Sequence, residues 1–385
     1  REYLSLQCPK GIEALGAEDD TSQSLGENNN FYYLPGDTLQ IGTYTETPAK
    51  VTGNDVWSSR PGENDWYETV KLNYHSRSTW QKMLDILLFW AGKGVDAFRC
   101  DMAEMVPVAF WEWAVPKVKE RFPNLIFIAE VYNPSEYRNY VYKGHFDYLY
   151  DKVGLYDTLR GVMCGWISAQ EISRCWQRVD DIREHMLYFL ENHDEQRVAS
   201  DFFAGDAKKG IPAMVASILM KSSPFMLYAG EEYGEKGMDK EGFSGKDGRT
   251  TIFDYWSVDT LCRAASGELT DDEKYVYEMH EKTMKIARKE KAVDGENAYA
   301  DGQGLFGRTL YVRDYGNLTQ GGDGSSWKNA INGNAYYHEA SGKFLGASST
   351  STITWTEIAK ETTTNYGTAG TTYTASTEQD PKLFL

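Results

Sequence analysis

Gly94-Val95-Asp96-Ala97-Phe98-Arg99-Cys100-Asp101 is the stretch on which the fold turns. It reads as a buried strand with an arginine and a carboxylate two residues apart at its far end. Side chains alternate along a strand, so Val95, Ala97, Arg99 and Asp101 share one face and Asp96, Phe98 and Cys100 the other. A cation beside Asp101 lowers the proton affinity of its carboxyl and keeps it nucleophilic at neutral pH. The same pair also serves as a plain ion pair at a strand end, and this stretch alone leaves both readings open.

Two further strand-like runs end in acids. Leu125-Ile126-Phe127-Ile128-Ala129 leads into Glu130, and Met186-Leu187-Tyr188-Phe189-Leu190 leads into Glu191-Asn192-His193-Asp194. Parallel α/β barrels assemble their active sites from the C-terminal ends of several strands. In this order, Phe98-Arg99-Cys100-Asp101, Ile128-Ala129-Glu130 and Glu191-Asn192-His193-Asp194 resemble the second, third and fourth short motifs of glycoside hydrolase family thirteen, the α-amylase family. The resemblance covers roughly residues 1 to 300. It implies an α/β fold, a (β/α)8 TIM barrel.

Around these motifs, helical and strand-like runs alternate, the pattern of parallel β/α units. Trp80, Met83, Leu84, Leu87, Leu88 and Ala91 recur at helical spacing, predicting a helix over 78–93 capped by Ser78 or Thr79 and ended by Gly92 or Gly94. Further helices are expected over Phe110–Arg121, Ser135–Tyr142, a run ending at Met163, Glu171–Arg183 and Ile211–Lys221. Weaker strands are expected over His145–Tyr150 and Phe225–Ala229. Five strands result, against the eight of a complete barrel. The family's first motif, of the form D-x-x-x-N-H, has no match upstream of Gly94. The resemblance therefore predicts a partial barrel, strands 4–8, in a chain that begins inside the family's inserted loop domain.

Residues 1–75 carry turn signals such as Leu34-Pro35-Gly36-Asp37 and short strands at Phe31–Leu34 and Leu39–Tyr44, which suit that irregular loop domain. There, Trp57, Trp66 and Tyr67 either line a sugar cleft or pack the excursion down. Residues 76–295 form the barrel part. Residues 296–385 turn rich in Gly, Ser, Thr and Asn, with alternating runs at Thr309–Val312 and Thr352–Trp355, and are expected to form a β-rich tail. Gly322-Asp323-Gly324-Ser325-Ser326-Trp327 faintly resembles the opening of β-helix domains of polysaccharide-active proteins.

The chain has 385 residues, enough for two or three domains, with 41% hydrophobic and 25% charged residues. Its formal net charge is −17, which argues against nucleic acid or an anionic membrane as partner. Tyrosines number 26 and tryptophans 11, a supply of flat faces for sugar rings as well as for packing. The five cysteines are irregularly spaced and form no CxxC pair, so neither a zinc site nor a disulfide framework is indicated. No run of about eighteen apolar residues marks a membrane span.

The resemblance assigns roles. Asp101 is implied as the nucleophile, Arg99 as its orienting cation, Glu130 as the acid and then the base, and Asp194 as the third carboxylate. His193 is implied as a ligand of a sugar hydroxyl, and Asn192 as a brace at the strand end. Tyr132 is a candidate sugar platform, and Arg249, in a segment like the family's loop after the eighth strand, a candidate cleft residue. Glu231 and Glu232 read as acids at a helix N-terminus. No metal ligand is named and the chemistry needs no cofactor; a structural calcium belongs, if anywhere, to the complete protein.

The implied function is a retaining α-glycosidase acting on α-glucans or maltooligosaccharides by double displacement. Many α-amylases carry Lys-His where this chain has Glu104-Met105, which keeps an α-glucan transglycosylase in view. A second class is a non-catalytic, amylase-like partner protein, such as the heavy subunits of amino-acid transporters; the three retained carboxylates count against it. Without the first motif, the chain by itself is expected to have little or no activity.

Overall fold

A computed structural model describes residues 14–60, 62, 64–219, 223–237, 247–250 and 258–289, with the backbone of 335–338, 343–347 and 355–357. The chain divides into two compact units, Arg1–Gly154 with Cys175–Leu187, and Leu155–Arg174 with Tyr188–Leu385.

The first unit opens with four short strands, β1 (Tyr33–Leu34), β2 (Leu39–Ile41), β3 (Tyr44–Glu46) and β4 (Ala49–Lys50). β2 and β3 form an antiparallel hairpin nested inside the antiparallel pair of β1 and β4. Leu39–Tyr44 is thus not one strand. Gly42, at φ +56°, takes the left-handed conformation that glycine adopts without a Cβ penalty, and the chain reverses there. Helix α1 (Arg77–Ala91) begins at Ser76, earlier than the sequence suggests. Thr79 is no cap: it is buried inside the helix, and its hydroxyl accepts a hydrogen bond from Asn30 Nδ2 at 3.0 Å.

β5 (Ala97–Cys100), α2 (Val108–Arg121), β6 (Ile126–Ala129) and β7 (Tyr148–Tyr150) follow, and β5, β6 and β7 pair in parallel, in that order. Phe110, Phe127, Phe146 and Leu149 are almost wholly buried and form the core under these strands, with Trp111 edge-on to Phe146 at 5.0 Å. The expected helix over Ser135–Tyr142 is present from Tyr137, two residues late, and is wound as a π-helix over Asn139–Lys143. β5 departs from its expected burial: Val95 is 36% exposed and Ala97 is exposed. Among the described residues β5 is paired on the β6 side alone, so nothing there covers its other flank. Cys100 is half-buried, and burial pushes its thiol up to about 12.

In the second unit, α3 (Asp157–Met163), α5 (Ala207–Leu219), α6 (Asp259–Ser266) and α7 (Asp271–Lys289) accompany the short strand β9 (Phe225–Met226). Helix α4 (Gln170–Arg178) and strand β8 (Met186–Phe189) are divided between the units. The first half of β8 pairs in parallel with β7, Leu149↔Met186 and Tyr150↔Leu187. The second half pairs with β9, Tyr188↔Phe225 and Phe189↔Met226. The helix expected to reach Arg183 stops at Arg178, because Val179 and Ile182 leave the helical path and turn into the core.

Three further strands, β10 (Ala335–His338), β11 (Lys343–Ala347) and β12 (Trp355–Glu357), form an antiparallel sheet in sequence order. Thr309–Val312, Gly322–Trp327 and Thr352–Thr354 lie outside the described residues. Among the described residues no helix is long and apolar enough to cross a membrane.

Candidate active site

β5 and β6 end side by side, with Cys100 paired to Ala129, so the next residue on each is an acid, Asp101 and Glu130. Arg99, near the end of β5, touches both. Its Nη1 donates to Asp101 Oδ1, and its Nη2 lies 2.8 Å from Glu130 Oε1. The Nη2 contact is ionic only, since that nitrogen makes no aligned hydrogen bond. The guanidinium also stacks against Tyr150, 5.4 Å from the ring centre. Burial alone would weaken its charge, but Tyr150, Glu130 and Asp101 outweigh it and hold the arginine cationic.

The two carboxylates live in different surroundings. The Asp101 side chain is 74% exposed, whereas Glu130 is 2% exposed. Burial raises the proton affinity of Glu130 above the ordinary glutamate range. The Met102 amide, Arg99 and the Tyr132 hydroxyl pull the other way, and the charge of Asp101 adds to the rise. The Met102 amide donates to Glu130 Oε2 at 2.8 Å, and Tyr132 Oη donates to Oε1 at 3.0 Å. Met102 reaches this position in a left-handed conformation, φ 42° and ψ 44°, which turns its N–H onto the acid. A buried acid with a raised proton affinity beside an exposed carboxylate is the division of labour that glycosidic bond cleavage needs.

The fourth motif lies in the second unit and is organised locally. His193 Nε2 is 3.0 Å from Asp194 Oδ2. Asn192 is buried, and its Oδ1 accepts the amides of Asp194 at 2.8 Å and Glu195 at 2.9 Å, so it braces the turn as the sequence implied. Arg249 pairs with Asp247, its Nε donating to Oδ2 at 2.8 Å.

Of the other candidates, Tyr132 bonds the acid, with Lys152 over its ring at 5.5 Å. Trp57, Trp66 and Tyr67 are all more than a third exposed. Glu104 accepts the Asn133 amide at 3.1 Å, and Met105 is exposed. Glu231 and Glu232 do open a helical turn, the 3-10 segment Glu231–Tyr233, but Glu231 is buried there and faces His280. Sequence reading missed the Met102 amide and Arg197. Nothing in Glu195-Gln196-Arg197-Val198 marks the arginine as buried, so the sequence carried no signal for it. No group of three or more His, Cys, Asp or Glu side chains among the described residues could hold a metal ion.

The profile described as "Alpha amylase, catalytic domain" matches residues 32–311. The chain belongs to the α-amylase family. It is 27% identical over 274 residues to "Alpha-amylase 3" of Dictyoglomus thermophilum, covering 65% of this chain and 54% of that protein. Over 105 residues it is 43% identical to the "Alpha-1,4-glucan:maltose-1-phosphate maltosyltransferase" of Rhodospirillum rubrum, 26% of this chain and 13% of that one. Among solved structures, the "Cyclic alpha-maltosyl-(1-->6)-maltose hydrolase from Arthrobacter globiformis" superposes with a TM-score of 0.52 at 16% identity, over 69% of this chain and 54% of that one. The fold of this α-amylase-family chain is therefore shared with that hydrolase, and the chain spans about half the length of these relatives or less.

Proposed function

We propose that this α-amylase-family chain carries the catalytic carboxylates of a retaining α-glycosidase acting on α-glucans or maltooligosaccharides. One observation carries the reading: a single guanidinium, Arg99, engages an exposed Asp101 and a buried Glu130 of raised proton affinity. Asp101 attacks the anomeric carbon while Glu130 protonates the departing glycosidic oxygen. A glycosyl ester forms on Asp101 and the leaving sugar departs with the proton. Glu130, now a carboxylate, takes a proton from water, and the water oxygen displaces Asp101 from the anomeric carbon. Asp194 serves as the third carboxylate and His193 as a hydroxyl ligand; both roles rest on the motif match. The chemistry uses side chains alone.

A second reading, glucan transfer, is supported by the likeness to a maltosyltransferase and by Glu104 and Met105. There a sugar hydroxyl replaces water in the second step. The domain boundaries at residues 75 and 295 remain part of the proposal.

Reducing-sugar release from maltooligosaccharides by the complete gene product, compared with its Glu130→Gln variant, tests the reading. Equal release from both ends it. Chromatography of the products separates hydrolysis, which yields shorter sugars only, from transfer, which also yields longer ones.

A further inference from the structure

The second unit buries four charged side chains in one cluster: Glu191, Arg197, Glu231 and His280, each at most 6% exposed. Glu191 and Arg197 clip the segment that carries His193 and Asp194. Arg197 Nη1 donates to Glu191 Oε2 at 2.7 Å, and the Val198 amide donates to Oε1 at 2.7 Å, so one carboxylate joins the start of the segment to its end. Arg197 also stacks on Tyr228, 4.3 Å from the ring centre. It further bonds the Arg249 loop: its Nε donates to Thr250 Oγ1 at 3.1 Å and its amide to the Gly248 carbonyl at 2.7 Å. Both oxygens of Glu191 accept from N–H groups, which is the pattern of an ionised carboxylate.

Two buried carboxylates share this one arginine. Burial, and the charge of Glu231, push Glu191 toward the protonated form that would lose its clip. Burial raises the proton affinity of Glu231 as well, and His280 and Arg197 oppose that rise; His280 on α7 is placed to be the second cation. Its Nδ1 lies 2.9 Å from the Val276 carbonyl, which can only accept, so Nδ1 carries a proton. Its Nε2 lies 3.8 Å from Glu231 Oε1, and neither atom has another partner among the described residues. Two bare lone pairs facing each other there would repel, which favours a proton on Nε2 beside the one on Nδ1 and so the imidazolium. Glu231 Oε2 already accepts the Tyr228 amide at 3.2 Å. The small space lined by Glu191, Glu231 and His280 is otherwise apolar, with Leu190, Val198 and Val276 on its walls. From α5, that space is lined by Ala207, Gly210, Ile211 and Met214, none of them charged.

We propose that His280 is a positioning residue: as an imidazolium against Glu231 it supplies the second cation of this cluster, leaving Arg197 to Glu191 and so fixing the segment that presents His193 and Asp194. The raised proton affinity of His280, which Glu231 imposes against burial, agrees with this. The catalytic consequence rests on the proposed role of Asp194; the charge state of His280 does not.

Nitrogen-15 NMR of histidine-labelled full chain reads the imidazole directly. His280 is expected to stay an imidazolium at neutral pH, and Glu231→Gln to shift its titration downward. A neutral His280 at pH 6 overturns the proposal, and that measurement needs only the unmutated chain. No response to Glu231→Gln overturns it as well. In the complete gene product acting on maltooligosaccharides, His280→Gln is expected to lower kcat about 10- to 100-fold with little change in KM, the scale of a misplaced catalytic group. His280→Lys, which keeps the charge, is expected to recover most of that loss. Equal damage from both variants overturns the charge role. If Asp194→Asn keeps full activity while the NMR result holds, the catalytic reading fails and the buried cation stands.

Discussion

Arg99 and Glu130 are in ionic contact without sharing a directed hydrogen bond: Nη2 lies 2.8 Å from Oε1, yet is not aligned to donate to it. The arginine therefore acts on the acid through charge, while it grips Asp101 through a hydrogen bond. Replacing it with Ala is expected to lower kcat/KM by about 100- to 1,000-fold, the scale of removing one preorganised donor. Because its charge holds the Glu130 proton affinity down, its loss should also move the alkaline limb of the pH–rate profile upward. A limb that moves downward would contradict the geometry.

Tyr132 makes a finer test of the same acid. Its hydroxyl donates to Glu130 Oε1 and so favours the charged form. Tyr132→Phe removes that donor while keeping the ring, so Glu130 should hold its proton to higher pH and the alkaline limb should again shift up. A tyrosine that only stacks on a sugar would change KM and leave the limb in place.

The acid and the nucleophile should separate by leaving group. Glu130→Gln is expected to cost about 100- to 10,000-fold on maltooligosaccharides, the usual worth of general acid catalysis. It should cost far less in the first step on an α-glucosyl fluoride, whose leaving group needs no proton. Asp101→Asn should be inactive on both substrates. Recovery of Asp101→Asn on the fluoride would reverse the assignment.

Arg197 offers a stability test independent of activity. Arg197→Met leaves Glu191 buried without its cation and is expected to cost about 3–5 kcal/mol in urea unfolding. Adding Glu191→Gln should restore part of that loss. The pH sign follows from His280: its raised proton affinity adds stability that is fully present below its unfolded value of 6.5 and is lost as pH rises through the folded one.

The parallel strands and the acids that follow them were legible because apolar runs, and the acids that end them, are local features. Where strands stop was not. That β5 is unpaired on one side among the described residues follows from counting strands against a complete barrel rather than from Val95 or Ala97, and nothing inside Leu39–Tyr44 but Gly42 says that it folds back. The place of Glu130 after its strand was readable from its motif, but its hydrogen-bond partners were not, since one of them is a backbone amide. The burial of Glu231 escapes the sequence for a related reason. Its partner, His280, lies 49 positions on in a helix whose sequence looks solvated.

That backbone amide has a consequence for variation. Met102 restrains Glu130 with its main chain, so the acidity of the proton donor is decoupled from whichever side chain stands beside the nucleophile. Residue 102 can thus be exchanged among side chains that accept a positive φ while its amide still reaches Glu130. Proline, which has no N–H to give and cannot take that φ, and β-branched residues, which take it only under strain, are the exceptions.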